Sequence, residues 1–286
     1  MDEFRHVISL GCRCSQASVF KSFGQRRYAC PFDWIFSSAA MITHCLRDDF
    51  QAFLDRDQYY QNGSSFDAIG LKPGSAPRER RLIAHNTYSS MTCGVGRGTI
   101  FNHRDPLHNK EDLVYLERCV DRFRLVLASG ERKLFVMMNL NHQLWIEQDI
   151  LELFEELCRR SDNFLFLVLD CKKNLGFEAA GRAPELLQEQ RRGAKHLAMY
   201  RVPCVGDNTG SYFREDLDAQ RVRALLVDPF VFHLSPDPLT VSSTPTATLT
   251  APTPPAAFPP SAESVGGGGY DEGPKPGRRW GRKLAA

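Results

Sequence analysis

Two cysteines one residue apart, Cys12 and Cys14, follow the run VISLG at residues 7–11. A short apolar segment that ends on a glycine can turn sharply, and a helix opening near residues 12–15 would present a thiol in its first turn. There the unpaired N–H groups and partial positive charge of the helix N-terminus favour thiolate over thiol, the form in which cysteine is a nucleophile. Cys14 stands where such a nucleophile is needed, whereas Cys12 directly follows the glycine and could point into the turn. The competing reading makes both of them small buried core residues, as unpaired cysteines commonly are. A metal centre is not expected. C-R-C lacks the zinc-knuckle spacing, no second close pair of Cys or His follows, and nothing in the spacing brings Cys30 and Cys93 to the first two.

A thiolate nucleophile needs a base. Among eight histidines, His103 ends the strand candidate GTIFNH and is followed by Arg104 and Asp105. A histidine at a strand end is held rigidly while its ring reaches the site. His108 and His142 are its nearest rivals. His44 falls within a helical pattern, His85 in a polar stretch, and His6, His196 and His233 lack a distinguishing context.

The elements that would position these groups read as an α/β (α+β) arrangement, a central sheet flanked by helices. HVISLG is a strand, followed by a helix in which Ala17, Phe20 and Phe23 recur at helical spacing. Residues 37–54 read as one helix with Ser37 or Ser38 as its cap. Residues 57–90 are polar and rich in Gly, Pro and Arg, so a long surface loop is expected there, and MTCGVGRGTIFNH reads as a hairpin. A helix through Leu113, Leu116, Val120, Phe123 and Leu127 follows, then a strand at 133–139, a helix at 150–160 and a strand at 163–170. A weaker helix is expected over 183–192 and a last strand over 194–202.

Composition bounds the rest. The chain has 286 residues, 42% of them hydrophobic, with a net charge of +2, so it can bury a sizeable core and has no general electrostatic bias toward nucleic acid. Nine cysteines, no basic-then-apolar leader and no apolar run near the ~18 residues of a membrane span suggest a reducing, cytoplasmic setting. After Leu234 the chain turns to Pro, Thr, Ser and Gly. Residues 1–234 are therefore expected to form one domain, and 235–286 a disordered tail whose removal leaves the fold intact.

Several motifs taken together resemble one family. They are Ser9-Leu10-Gly11 with Cys14 and Ala17, then Pro31-Phe32-Asp33-Trp34, then His103 with Asp105, and finally Arg122-Phe123 followed by Leu125, Val126 and Leu127. This succession, over about residues 6–140, resembles the bacterial-type family of papain-like cysteine peptidases. The family pattern has an acid adjacent to the histidine, where this chain has Arg104, and leucine where it has Val126. The resemblance implies a papain-like fold, Cys14 as nucleophile and His103 as base, in the papain-like chain order. Asp105 and Asn139 are the candidates for a third residue that orients the imidazole. Asp33 and Trp34 read as a structural block, and Arg118 and Arg122 as a solvated or salt-bridged pair.

The chemistry so implied is acyl transfer from a peptide or another amide or ester, with no metal or organic cofactor. Water as acceptor makes the protein a hydrolase; another acceptor, or an amide nitrogen released as ammonia, makes an acyltransferase or a deamidase on the same pair. The alternative outside catalysis is a binding or accessory domain of the same fold, linked to glycan metabolism.

Overall fold

The computed structural model describes residues 3–67, 78–92, 98–140, 146–171, 181–206 and 213–241. In chain order its elements are β1 (Glu3–Phe4), β2 (His6–Ser9), α1 (Cys14–Ser22), α2 (Ala39–Arg47), α3 (Gln51–Leu54), β3 (Tyr59–Asp67), β4 (Arg78–His85), β5 (Thr99–Phe101), α4 (Lys110–Ala128), β6 (Lys133–Leu140), α5 (Glu147–Arg160), β7 (Phe164–Cys171), β8 (Glu185–Arg192), β9 (Lys195–Arg201), α6 (Asp216–Leu226), β10 (Val231–Phe232) and α7 (Pro238–Val241).

Strands buried on both faces read as continuous apolar runs, and β7 is buried at every position. It lies at the centre of a five-stranded sheet of order β2-β6-β7-β9-β8, parallel except for β8. The two-residue period of the strands divides the core into two layers. On β6, Phe135 and Met137 join Ile42, Phe123 and Leu153 from α2, α4 and α5. Leu134, Val136 and Met138 join Val19, Phe20, Val222 and Leu226 from α1 and α6. The sheet flanked by helices that the sequence predicts is what the chain forms.

Two of the sequence motifs meet in the first layer. Phe32 lies edge-on to Phe123 at 5.8 Å and packs on Phe50 and Phe53. The aromatic pairing accounts for why P-F-D-W and R-F accompany one another, since such pairs add about 0.5–1.5 kcal/mol each beyond their burial. Phe50 joins this cluster at a backbone cost. With Asp49 it adopts a left-handed conformation, φ 62° and 51°, which splits the helix expected over 37–54 into α2 and α3. The Asp48 carboxylate accepts from the N–H groups of Phe50 and Ala52, both at 3.0 Å, and restarts the helix. Ser38 caps α2 by accepting from Met41 N–H at 3.2 Å.

Other elements differ from the sequence reading. Much of the stretch read as a loop over 57–90 is strand: β3 and β4 pair antiparallel, and β5 joins β4 rather than a hairpin of its own. Residues 93–97 of that proposed hairpin lie outside the described residues. The helix expected over 183–192 is instead the edge strand β8, joined to β9 by a two-residue turn with Gly193 at φ 61°. Its polar sequence fits an edge that faces solvent. The chain also continues past β9 into α6 and β10, which pairs parallel with β1. Among the described residues no helix is long and apolar enough to cross a membrane.

The first residues assigned by composition to the tail pack on the body. Ser235 accepts from Arg5 Nε and donates to Glu131, and Asp237 pairs with Arg122 at 2.7 Å. The remainder, 242–286, lies outside the described residues. Glu131 Oε2 also lies 2.7 Å from the Nε2 of buried His6, whose Nδ1 is hydrogen-bonded with the Tyr28 hydroxyl at 2.6 Å.

Two stability tests follow from these contacts. Ending the chain at Leu234 strips Arg122, only 8% exposed, of its carboxylate partner. That truncation is expected to lose about 3 kcal/mol, the low end for breaking a buried ion pair, while ending at Val241 leaves the melting temperature unchanged. Burial holds His6 below its ordinary pKa against the opposing pull of Glu131. The unfolded histidine, titrating near about 6.5, therefore binds its proton first as pH falls, so stability is lost as pH drops below about 6.5. Urea unfolding of wild type across that range should show the loss, and His6→Gln should flatten it.

Candidate active site

The site is assembled where β2 stops short of its neighbour. β2 ends at Ser9, and Leu10 N–H makes one more bond, to Val136 O at 2.8 Å, before the chain leaves the sheet. Gln16 then takes the place of the missing strand. Its carboxamide donates to Val136 O and accepts from Met138 N–H at 3.1 Å. The first turn of α1 is thereby fixed to the sheet by a side chain that mimics a peptide group.

The turn between them is tight. Gly11 and Cys12 both have φ 84°, a region that disfavours side chains. A Cβ on Gly11 would overlap Ser37 Oγ and approach Phe32 O to 2.8 Å. Ser37 instead uses that space to accept from Cys12 N–H at 2.9 Å and to donate to Leu10 O at 3.1 Å. Ser9 Oγ accepts from Gly11 N–H at 3.2 Å. Cys12 is thus a buried turn residue, and Cys14 opens α1, ahead of which Arg13 offers no side-chain cap. The Arg13 guanidinium is buried in reach of both thiols; its Nε and Nη2 have no hydrogen-bond partner among the described residues.

The histidine arrives from the other sheet. β5 is followed by Asn102 and His103, and β5 is itself held by the two residues just after the P-F-D-W block, through an Ile35–Phe101 bridge and a Phe36 N–H to Ile100 O bond of 2.9 Å. Trp34 stands edge-on to the His103 ring at 5.9 Å. Arg26 lies 5.5 Å over Trp34 and donates twice to Asp33, at 3.0 and 3.2 Å, while Asp33 also accepts from Cys30 N–H. Burial raises the Asp33 pKa and Arg26 opposes it. Asp33 shapes its turn and holds Arg26, which covers the indole that walls the histidine.

Here Cys14 Sγ lies 3.1 Å from His103 Nε2, across 89 positions of sequence. The other ring nitrogen, Nδ1, accepts from Arg80 Nη1 at 2.8 Å. Asp105 makes its bonds elsewhere, to Arg81 at 3.0 Å and to the ring and backbone N–H of His108 at 2.9 and 3.0 Å. Asn139 donates from Nδ2 to Asp170 at 2.9 Å in the sheet interior. The residue against Nδ1 is therefore one that the sequence reading did not single out. It lay in the polar stretch taken for a loop, where only the run RERRLIAH, ending in apolar residues, hinted at a strand.

Beside His103 opens a polar cavity of about 570 Å³. Arg81 and Arg104 line it, each already paired, with Asp105 and Asp112 respectively. Asp112 also accepts from Asp105 N–H at 2.9 Å, which fixes the chain just after the histidine. The described cysteines are all unbridged. Burial pushes the thiols of Cys30, Cys45 and Cys158 up, and that of Cys119 up to about 11, so these four stay protonated near neutrality.

A family model described as "Putative papain-like cysteine peptidase (DUF1796)" matches residues 5–173. The matched span includes Cys14, Arg80 and His103. No curated protein and no solved structure matches the chain.

The turn geometry makes Gly11 irreplaceable. Gly11→Ala is expected to destabilise the protein by about 2 kcal/mol or more, combining a disfavoured φ with overlap on Ser37. Gly130, with nothing within 4 Å of an added Cβ, is the control; Gly130→Ala should stay within about 0.5 kcal/mol of wild type by urea unfolding.

Proposed function

The chain belongs to the family described as "Putative papain-like cysteine peptidase (DUF1796)", and on that premise we propose that it is a thiol hydrolase acting through an acyl-enzyme on Cys14. The contact that supports this reading is the 3.1 Å approach of Sγ to Nε2, within reach for proton transfer between a thiol and an imidazole.

In the reaction the Cys14 thiolate attacks a carbonyl carbon, forming a C–S bond and an oxyanion. The amide N–H groups at the start of α1 point toward the thiol end of the helix and offer donors for that oxyanion. As the intermediate collapses, the C–N or C–O bond breaks, and the His103 imidazolium gives its proton to the leaving atom. Water then attacks the thioester, with His103 taking a proton from it, and Cys14 leaves as thiolate. The substrate class is a peptide or another amide or ester. The wall of paired arginines and carboxylates beside His103 favours a polar substrate over a greasy one, since an apolar group there would desolvate charges without replacing their partners.

An electrophilic activity probe provides the test. Wild type should be labelled at a single thiol, Cys14→Ala should lose labelling entirely, and Cys12→Ala should keep it. His103→Ala should slow labelling by about 100-fold or more. Undiminished labelling of Cys14→Ala would remove Cys14 from the mechanism.

A further inference from the structure

We infer that Arg80 is a latch on His103, which holds the imidazole neutral in its Nε2–H tautomer and must turn away from Nδ1 before His103 can become an imidazolium. This inference rests on the dyad reading above and adds a residue that controls its protonation.

The argument begins with what an arginine can do. A guanidinium carries five N–H donors and no acceptor, and it does not deprotonate in proteins. The 2.8 Å contact between Arg80 Nη1 and His103 Nδ1 can therefore run only one way, with arginine donating and Nδ1 accepting through its lone pair. A neutral ring with a lone pair on Nδ1 has its hydrogen on Nε2. That N–H points at Cys14 Sγ, 3.1 Å away, and donates to it.

The usual thiol–imidazole pair is arranged the other way. There the orienting group accepts from Nδ1–H, stabilises the imidazolium and leaves Nε2 to take the thiol proton. With Arg80 in place, adding a proton to Nδ1 would set N–H against N–H and one positive charge against another. In the latched state the thiol proton goes to water, and the thiolate is held by Nε2–H, with the guanidinium as the nearby cation. In the unlatched state the ring can take a proton from water at Nδ1 as the thiol gives one up to water. The net change moves one proton from sulfur to the imidazole.

Among the described residues, most other charges near the ring are already engaged. Cys14 faces it from the start of α1, with Arg13 near that thiol, and Trp34 from the P-F-D-W block presents an uncharged ring backed by Arg26. From β4 and the turn after β5, Arg81 is paired with Asp105 and Arg104 with Asp112, while Glu79 also lines the cavity. Asp105, the carboxylate nearest in sequence, is engaged by Arg81 and His108. Arg80 is partly exposed on β4 and lines the polar cavity beside His103.

The latch makes a prediction opposite in sign to that of a merely structural contact. NMR of the His103 ring nitrogens, followed against pH, should show the Nε2–H tautomer in wild type. In Arg80→Met the imidazole midpoint should rise by about one pH unit or more, because Nδ1 is released and the Cys14 thiolate becomes its counter-charge. Iodoacetamide alkylation of Cys14 should then extend to correspondingly lower pH. Arg80→Lys, which can still donate to Nδ1, should restore the wild-type midpoint. A midpoint in Arg80→Met that is unchanged or lower overturns the latch, as does a wild-type Nδ1–H tautomer. Failure of the dyad reading looks different: Cys14 would then alkylate no faster than the other thiols, whatever the ring nitrogens report.

Discussion

The site depends on one tight turn, Leu10 to Cys14, in which two successive residues take a left-handed backbone. Gly11 takes it without steric cost, but a non-glycine residue in that region costs about 1–2 kcal/mol, and Cys12 is one. Ser37 offsets the cost by bonding both sides of the turn, occupying the volume a side chain on Gly11 would need. The rest of the local architecture follows from this geometry. The turn takes the chain off the sheet after only four paired residues, opens α1 at Cys14, and leaves β6 with backbone groups that Gln16 satisfies.

The site is also a meeting of two sheets. The parallel sheet supplies the thiol at the C-terminal end of a strand, where ligands gather in α/β folds. The small antiparallel sheet supplies both partners of the imidazole's surroundings, His103 after β5 and Arg80 on β4. The P-F-D-W block joins them. Phe32 anchors it in the core, Asp33 fixes its turn and Arg26, Trp34 walls the histidine, and the residues just after pair with β5. A block that reads in the sequence as merely structural thus sets the thiol–imidazole distance from the outside.

Several of these features could be read from the chain. The apolar run of β7, the amphipathic α4 and α5, and the strand–glycine–helix pattern around Cys14 carry their periodicity in local sequence. The histidine at the end of GTIFNH could be ranked above its rivals by position. What escaped were strands whose sequence is largely polar. β8 is mostly charged or amide residues at the edge of its sheet, β4 opens on four charged residues although it is the middle strand of three, and β3 mixes Tyr, Ser, Gly and amide residues, so none of them carries a clear apolar alternation. The packing of Ser235 and Asp237 escaped for a similar reason. Their partners, Glu131 and Arg122, are more than a hundred residues away, and a proline-rich composition masks a short segment held by polar bonds.

The sequence by itself determined the setting of Cys14 and the class of fold, because glycine's conformational freedom, helix-terminus electrostatics and strand burial are properties of a few consecutive residues. Tertiary structure alone decided which groups meet the imidazole. Asp105 and Asn139 are close to His103 or to a strand end in sequence, yet one is engaged by Arg81 and His108 and the other by Asp170. Arg80 reaches Nδ1 from 23 positions away, through the antiparallel pairing of β4 with β5. Hydrogen-bond partners of a side chain are chosen by distance and direction in space, and strand register, which is a property of the folded sheet, sets both.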